Sequence, residues 1–474
     1  MSIDRRSFLL LGGAVGAGRL HADEPPPLCV GSDFPELPPN AFRFDSVPDL
    51  QVGQFNPKAP KRRLWSTLDD GEKARLAKDL RCAYTRMMNK RWTSRRSYMY
   101  QAWTHAWYCS GNRDPCFGDI HRSWAFLPWH RAFLYFHERL IQAELGNPDF
   151  RLPVWDWEND PCVPWIYNSL PSVKHLACSA SRAQNHICPV TQADLNAWFG
   201  SSSSFDTVAG GLTYAGTSFS GLHQCVHVQL GGCMGDFLSA ALDPVFYAHH
   251  ANVDRFWDAW TAQNRQSLPQ WPNSCFYFYD LGRPVRVKVR DLLNTTRLGY
   301  RYDPPSMPQY QSKSVSAVIE NGRVTLDAYF LHQLLNLLSL DSRFDLAGQV
   351  RRVHEPDSLV TVQFRVSLPS LEHGKYYLFG MQDQSGKLGV VLDPCAGLLA
   401  MHEAPSQAVL AAHLGHDALA YVLGNIDHGI QLVYGPASNV SNPACGGASI
   451  ANPTRFAPES FEIRVASAGA VAYR

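Results

Sequence analysis

The stretch HRSWAFLPWHRAFLYFHERL, residues 121–140, sets His121, His130 and His137 among tryptophan, phenylalanine, leucine and one proline. Bulky apolar residues directly behind two histidines fit two readings. The imidazoles could be incidental to a packed core. Alternatively, they could belong to a metal site that must be dry, rigid and rich in nitrogen ligands. From Pro128 onward the pattern is helical: the proline suits a first turn, and Gly146-Asn147-Pro148 stops the helix.

The other histidines cluster as well. His223 and His227 stand four apart in HQCVH, so on a helix both rings project from one face. His249 and His250 follow in DPVFYAHHANVDRFW (243–257). Asp254, one turn after His250, is expected to accept a ring N–H and orient that imidazole. His105 lies in a further helical stretch, YMYQAWTHAWYC (98–109). Two triplets emerge: His105, His121 and His130, then His223, His227 and His250. Neither contains a carboxylate. Zinc, iron and magnesium pairs normally recruit carboxylates, whereas all-imidazole ligation suits copper, which heads the divalent affinity order. A histidine-rich zinc site and purely structural histidines stay open on the residues alone. His137, two turns beyond His130, is expected to pack in the core.

Around these stretches the chain divides in two. LDDGEKARLAKDLRCAYTRMM (68–88) has helical spacing with acidic residues early and basic ones late. Residues 159–220 are rich in proline, serine and glycine and are expected to be irregular. YDPPSMPQYQ (302–311) reads as a linker. Beyond it SLVTVQFRVSL, KYYLFGMQD, KLGVVLD, GIQLVYG and SFEIRVASA read as strands bounded by turn residues. With 474 residues the chain can bury more than one core. The expected class is α+β: a helical core, residues 23–302, whose four-helix bundle holds the histidines, a linker at 303–316, and a smaller β-sandwich-like domain at 317–474.

The amino terminus, MSIDRRSFLLLGGAVGAGRLHA, resembles a twin-arginine export signal, with Arg5 and Arg6 before a short apolar run and a cleavage point after Ala22. That run is too short to span a bilayer, so export to the periplasm or medium is expected, without membrane anchoring. Twelve cysteines are compatible with an oxidising destination and with disulfides. A net charge of +1, with no long basic run, gives no pull toward nucleic acid.

FLPWHRAFLYFHE (126–138) and DPVFYAHHANVDRFW closely resemble the two copper signatures of the type 3 copper proteins, the superfamily of tyrosinase, catechol oxidase and molluscan haemocyanin. LPVWDWEND (152–160) matches too, and VRDLLNTTRLGYRYD (289–303) resembles the end of the core domain in plant and some bacterial polyphenol oxidases. The likeness runs over roughly residues 95–303. It implies a dinuclear site in which His105, His121 and His130 bind copper A, and His223, His227 and His250 bind copper B. His249 would be a neighbour, and Phe246 would pack against a copper B ligand. Cys109 falls where plant-type members carry a thioether to the second copper A histidine, here His121; a disulfide to Cys116 is the other reading.

The resemblance implies oxidation of o-diphenols to o-quinones with O2, acting on small phenols, with a copper chaperone as a candidate partner. Many tyrosinases have Asn after the first copper B histidine and Glu shortly before it, together holding a water that deprotonates a monophenol. Here Gln224 follows His223, and YAGTSFSGL (214–222) holds no carboxylate. Gln224 could orient a water but is not a base of suitable pKa. Monophenol hydroxylation is therefore expected to be weak. Substrate access is expected to depend on Gln224, Val228 and the loop from His227 to Asp243. The other functions of this superfamily are true tyrosinase activity and haemocyanin-like O2 carriage. In relatives the C-terminal domain can cover the copper pocket until proteolysis removes it.

Overall fold

The computed structural model describes residues 47–468 apart from 92, 110–119, 171–177, 201, 203, 265–273, 306–309, 339–357, 373, 401–404, 426–427 and 439–448. The export signal thus lies outside the described residues. Helix α1 (Asp70–Met88) opens with a reciprocal capping box: Asp69 accepts from the Glu72 amide, and Glu72 from the Asp69 amide. Four helices then form the bundle: α2 (Tyr98–Cys109), α3 (Phe126–Leu145), α4 (Leu222–Leu230) and α5 (Val245–Gln263). Pro128 sits in the first turn of α3, and Gly146 ends the helix in the left-handed region at φ 66°. Every residue of α3 from Phe126 to Glu138 is buried, and so is all of α4. A helix apolar on all sides is stable only inside such a core.

Residues 159–220 contain helical turns at Trp165–Asn168, Cys178–Ser181, Gln192–Leu195 and Phe205–Val208 rather than being wholly irregular. After α5, strands β1 (Cys275–Asp280) and β2 (Arg283–Lys288) form an antiparallel hairpin. Its two central residues, Leu281 and Gly282, both have positive φ, 50° and 92°, as the twist of a tight hairpin demands. The hairpin lays Phe278 against Trp129 and Phe136, with centroids 5.5 and 5.1 Å apart, and so backs α3.

The C-terminal part comprises β3 (Tyr310–Ser316), β4 (Val318–Glu320), β5 (Arg323–Thr325), helix α6 (Ala328–Leu338), β6 (Ser358–Ser370), β7 (Tyr376–Gln382), β8 (Leu388–Val391), β9 (Leu398–Leu399), β10 (Pro405–His413), helix α7 (His416–Gly424), β11 (Gln431–Pro436), β12 (Thr454–Phe456) and β13 (Ser460–Ala468). One antiparallel sheet has the order β10-β6-β13-β3; the other has β12-β11-β7-β8, with β9 also on β7. Phe364 of the first sheet meets Phe379 and Phe456 of the second at 5.6 and 6.4 Å. The expected α+β class is what the structure shows. Strand β3 occupies the second half of the stretch read as a linker, because its backbone pairs with β13.

The two parts meet along the segment that leads into α4. Val409 donates to the Ala215 carbonyl at 2.8 Å, and Ala215 donates to Gln407 at 3.1 Å. Ser220 Oγ donates to the Val409 carbonyl at 2.7 Å. A disulfide joins Cys225 in α4 to Cys395, just before β9.

Candidate metal centre

The first triplet is assembled from three segments and the second from two. His105 projects from α2, His130 from α3, and His121 from the short turn Ile120–Arg122 before α3. Their ring centroids lie 5.0–5.6 Å apart. His223 and His227 project from one face of α4, and His250 from α5, with centroids 4.7–5.6 Å apart. The triplets face each other, and His130 stacks on His250 at 4.3 Å with only 7° between planes. Five of the seven rings here, counting His249, have no exposed surface, and the other two have 1–2%.

Backbone carbonyls fix which nitrogen three of the rings offer. His130 Nδ1 donates to the Phe126 carbonyl at 2.8 Å, and His223 Nδ1 to the Phe219 carbonyl at 3.0 Å. His227 Nδ1 donates to the Met234 carbonyl at 2.8 Å. A neutral imidazole with its proton on Nδ1 presents a lone pair at Nε2. His130 Nε2 and His223 Nε2 are buried with no hydrogen-bond partner. Such an atom is costly unless something electron-deficient meets it. His227 Nε2 and His250 Nε2 approach to 3.4 Å. Two nitrogens bound tetrahedrally to one ion at about 2.0–2.1 Å lie about 3.3–3.4 Å apart.

Burial, and then the neighbouring imidazoles, push the pKa values of His105, His130 and His250 well below the ordinary histidine value. The same causes act on His223, and burial takes His227 down to about 4. These five rings are therefore neutral, the protonation state a metal requires. Among the described residues, the two metal-competent groups are His223, His227, His249 and His250, and His105, Cys109 and His121; neither contains a carboxylate. The donor set fits a pair of copper ions.

The surroundings are aromatic. Phe246 stands 4.1 Å from His250 and 4.7 Å from His105, so it packs between the two triplets. Phe126 lies 4.7 Å from both His130 and His223. Phe237 covers His121 and His227 at 5.3 and 5.5 Å. Cys109 Sγ lies 3.4–3.5 Å from the His105 nitrogens and 3.9 Å from His121 Nε2, against the ring to which the resemblance assigns a thioether. Cys116 lies outside the described residues. His249 receives the Trp157 indole N–H on Nδ1 at 3.2 Å. His137 is core, as expected: it stacks on Tyr247 at 3.5 Å and bonds the Tyr84 hydroxyl at 3.0 Å.

Two expectations are corrected. Asp254 does not orient His250. Its Oδ1 accepts from Arg131 Nε at 2.5 Å, and its Oδ2 from the Tyr300 and Tyr302 hydroxyls at 2.9 and 2.7 Å, with Arg62 3.5 Å away. Two guanidinium groups and two phenols take up its oxygens. The second concerns substrate access through Gln224 and Val228. Gln224 Oε1 accepts from the Leu399 amide of β9 at 2.8 Å, so the C-terminal sheet holds it. Val228, like Gln224, is buried, so neither lines an open entrance.

Some supporting residues were not evident in the sequence. Asp243 is gripped by Arg182 at 2.5 and 2.6 Å and accepts from the Val245 amide at 3.1 Å, fixing the start of α5. The Trp157–His249 bond was hidden inside LPVWDWEND. The i−4 carbonyls of Phe126 and Phe219 follow from helical spacing only once the ring orientation is known.

Comparison with known proteins bears on this site. The common central domain of tyrosinase matches residues 95–185 and 177–263, and the polyphenol oxidase middle domain matches residues 267–315. Catechol oxidase B of Solanum tuberosum, a chloroplastic protein, is 30% identical over 66% of this chain and 63% of its own length. The chloroplastic polyphenol oxidase of Vitis vinifera is 32% identical over 45% of this chain and 43% of its own. The chain thus spans less than two thirds of these relatives. In fold, latent aurone synthase has a TM-score of 0.58 over 89% of this chain and 92% of its own at 20% identity. Latent apple tyrosinase has 0.57 over 88% and 99% at 21%.

Proposed function

Because the chain belongs to the superfamily of tyrosinases and polyphenol oxidases, we propose that it oxidises o-diphenols to o-quinones with O2 as oxidant. In this reading His105, His121 and His130 hold one copper ion, and His223, His227 and His250 the other. The observation that carries it is the set of Nδ1–carbonyl bonds at His130, His223 and His227, which aim three Nε2 lone pairs into one dry space. When bound, the copper pair supplies reversible electron acceptance and O2 binding. The protein's contribution is positional: backbone carbonyls fix the rings, and Phe126, Phe237 and Phe246 exclude water and resist their rotation. Two diphenols together give up four electrons and four protons, and one O2 becomes two waters.

Hydroxylation of monophenols is expected to be weak. That step needs a base beside the metal pair, and the metal-competent groups described contain no carboxylate. We place a thioether between Cys109 and His121, export by the twin-arginine route, and shielding by the C-terminal domain in the same reading. The last is supported by β9 and Cys395 lying on α4, the helix of His223 and His227. Oxygen uptake by the copper-loaded protein, with its C-terminal domain released, tests the function. Uptake with catechol and little with phenol is the expected result. Equal uptake with both would make it a true tyrosinase, and uptake with neither would reject the oxidase reading.

A further inference from the structure

Distance alone does not separate ligand from neighbour around copper B. The His249 ring centroid lies 5.4 Å from that of His223 and 5.0 Å from those of His227 and His250. The three assigned ligands stand 4.7–5.6 Å from one another. One nitrogen from each of the four rings lies within 4.8 Å of those of the other three. Four buried imidazoles therefore surround a place to which three are assigned. Hydrogen bonding does separate them. His223 and His227 donate from Nδ1 to carbonyls and keep a lone pair at Nε2. His249 is bonded the opposite way: the Trp157 indole N–H donates to its Nδ1 at 3.2 Å. Indole is a donor only, so Nδ1 supplies the lone pair. A ring that accepts at Nδ1 is neutral and carries its proton on Nε2. That Nε2 is buried and has no hydrogen-bond partner.

We propose that Trp157 withholds His249 from copper B, and so keeps that ion at three imidazoles with one position open. The inference rests on the copper reading above. Whichever nitrogen of His249 faces the ion, neither offers a free lone pair: the indole occupies one and a proton the other. An exogenous ligand needs an open position at the metal, and a fourth imidazole would fill it. Trp157 is itself fully buried, stacked on Phe256 at 5.8 Å with 12° between planes and tilted against Trp198 at 5.6 Å, so its N–H is held in that direction. Without this N–H, the proton of His249 is free to move from Nε2 to Nδ1, and Nε2 then ligates as a neutral donor. The ring gains and loses no proton in the exchange. Trp157 is thus a positioning residue that acts through His249.

Two measurements on the full chain test this. The first needs no substitution at Trp157. Nitrogen NMR of the metal-free wild type, labelled at histidine, reports which ring nitrogen holds each proton, and the His249 signals are those lost in His249→Phe. The Nε2–H form is expected; an Nδ1–H form would overturn the proposal. The second uses His105→Ala/His121→Ala, which leaves copper B as the one complete triplet, loaded with a single equivalent of Cu(II). Pulsed EPR counts the bound imidazoles, and titration with azide reads the open position. Three imidazoles are expected with Trp157 present. Four are expected once Trp157→Phe is added, with azide bound about 10–100-fold more weakly. Adding His249→Phe as well should restore three imidazoles and the azide affinity, which a packing defect at Trp157 would not do. Four imidazoles with Trp157 present, or three after its replacement, would also overturn the proposal. A chain that takes up no copper while His249 holds the Nε2–H form would sink the copper reading and leave the tautomer assignment standing.

Discussion

Replacing Asp254 by asparagine separates two accounts of the carboxylate that closes the second copper signature. In the structure it serves two buried guanidinium groups and two buried tyrosines, not His250. Arg62 and Arg131 are both fully buried, and Arg62 has one further close carboxylate, Glu138, at 2.9 Å. Asp254→Asn removes one negative charge from this set and turns an acceptor into a donor facing Tyr300 and Tyr302. Breaking a buried charge pair costs about 3–5 kcal/mol, chiefly because the remaining charge is stranded. For a core of this size each kcal/mol lowers Tm by about 2–4 °C, so the metal-free variant should melt roughly 6–20 °C below the metal-free wild type. Calorimetry of both metal-free proteins measures this, and a copper titration of each then counts sites. The expected result is a large loss of stability with the copper count unchanged. An unchanged Tm together with a lost or weakened copper site would refute the reasoning and return Asp254 to the role of orienting His250.

Docking of the C-terminal domain should depend on pH through Asp393, which lines a cavity of about 20 Å³ between the two parts. Burial, and then Asp194, raise Asp393 from its ordinary value to about 7. The docked form therefore holds a proton that the separated form releases. Docking should be tightest below about pH 4, weaken as pH rises, and level off above about 7. Hydrogen exchange at the Leu399 amide across this range checks it, and Asp393→Asn should flatten the profile. Gln224→Ala strands the buried Leu399 amide at a cost of about 1–3 kcal/mol, or roughly 5–150-fold in affinity between the separated parts. Titration calorimetry of the separated parts measures the loss; an unaltered affinity would remove Gln224 from the interface.

The bundle was legible because its signals are local. Helix α3 begins and ends where Pro128 and Gly146 indicate, and the His223/His227 pair shares a face because four residues make one turn. The six ligand candidates could be grouped because all-nitrogen donor sets are chemically narrow. What stayed hidden depends on pairs far apart in sequence. Asp254 lies one turn from His250, but its position is decided by Arg62 and Arg131 from α3 and the segment before α1. Gln224 adjoins a ligand, yet its partner is Leu399, 175 residues away. Strand β10 escaped notice because AVLAAH (408–413) alternates weakly, and β3 because its proline-rich approach reads as linker.

The central claim is that two imidazole triplets present lone pairs to two copper ions. Equilibrium dialysis against copper, followed by metal analysis, measures it directly on three proteins: wild type, His121→Ala/His130→Ala and His223→Ala/His227→Ala. The account predicts two copper ions per wild-type chain and one in each double variant. One ion or none in the wild type, or two retained in either variant, would contradict it.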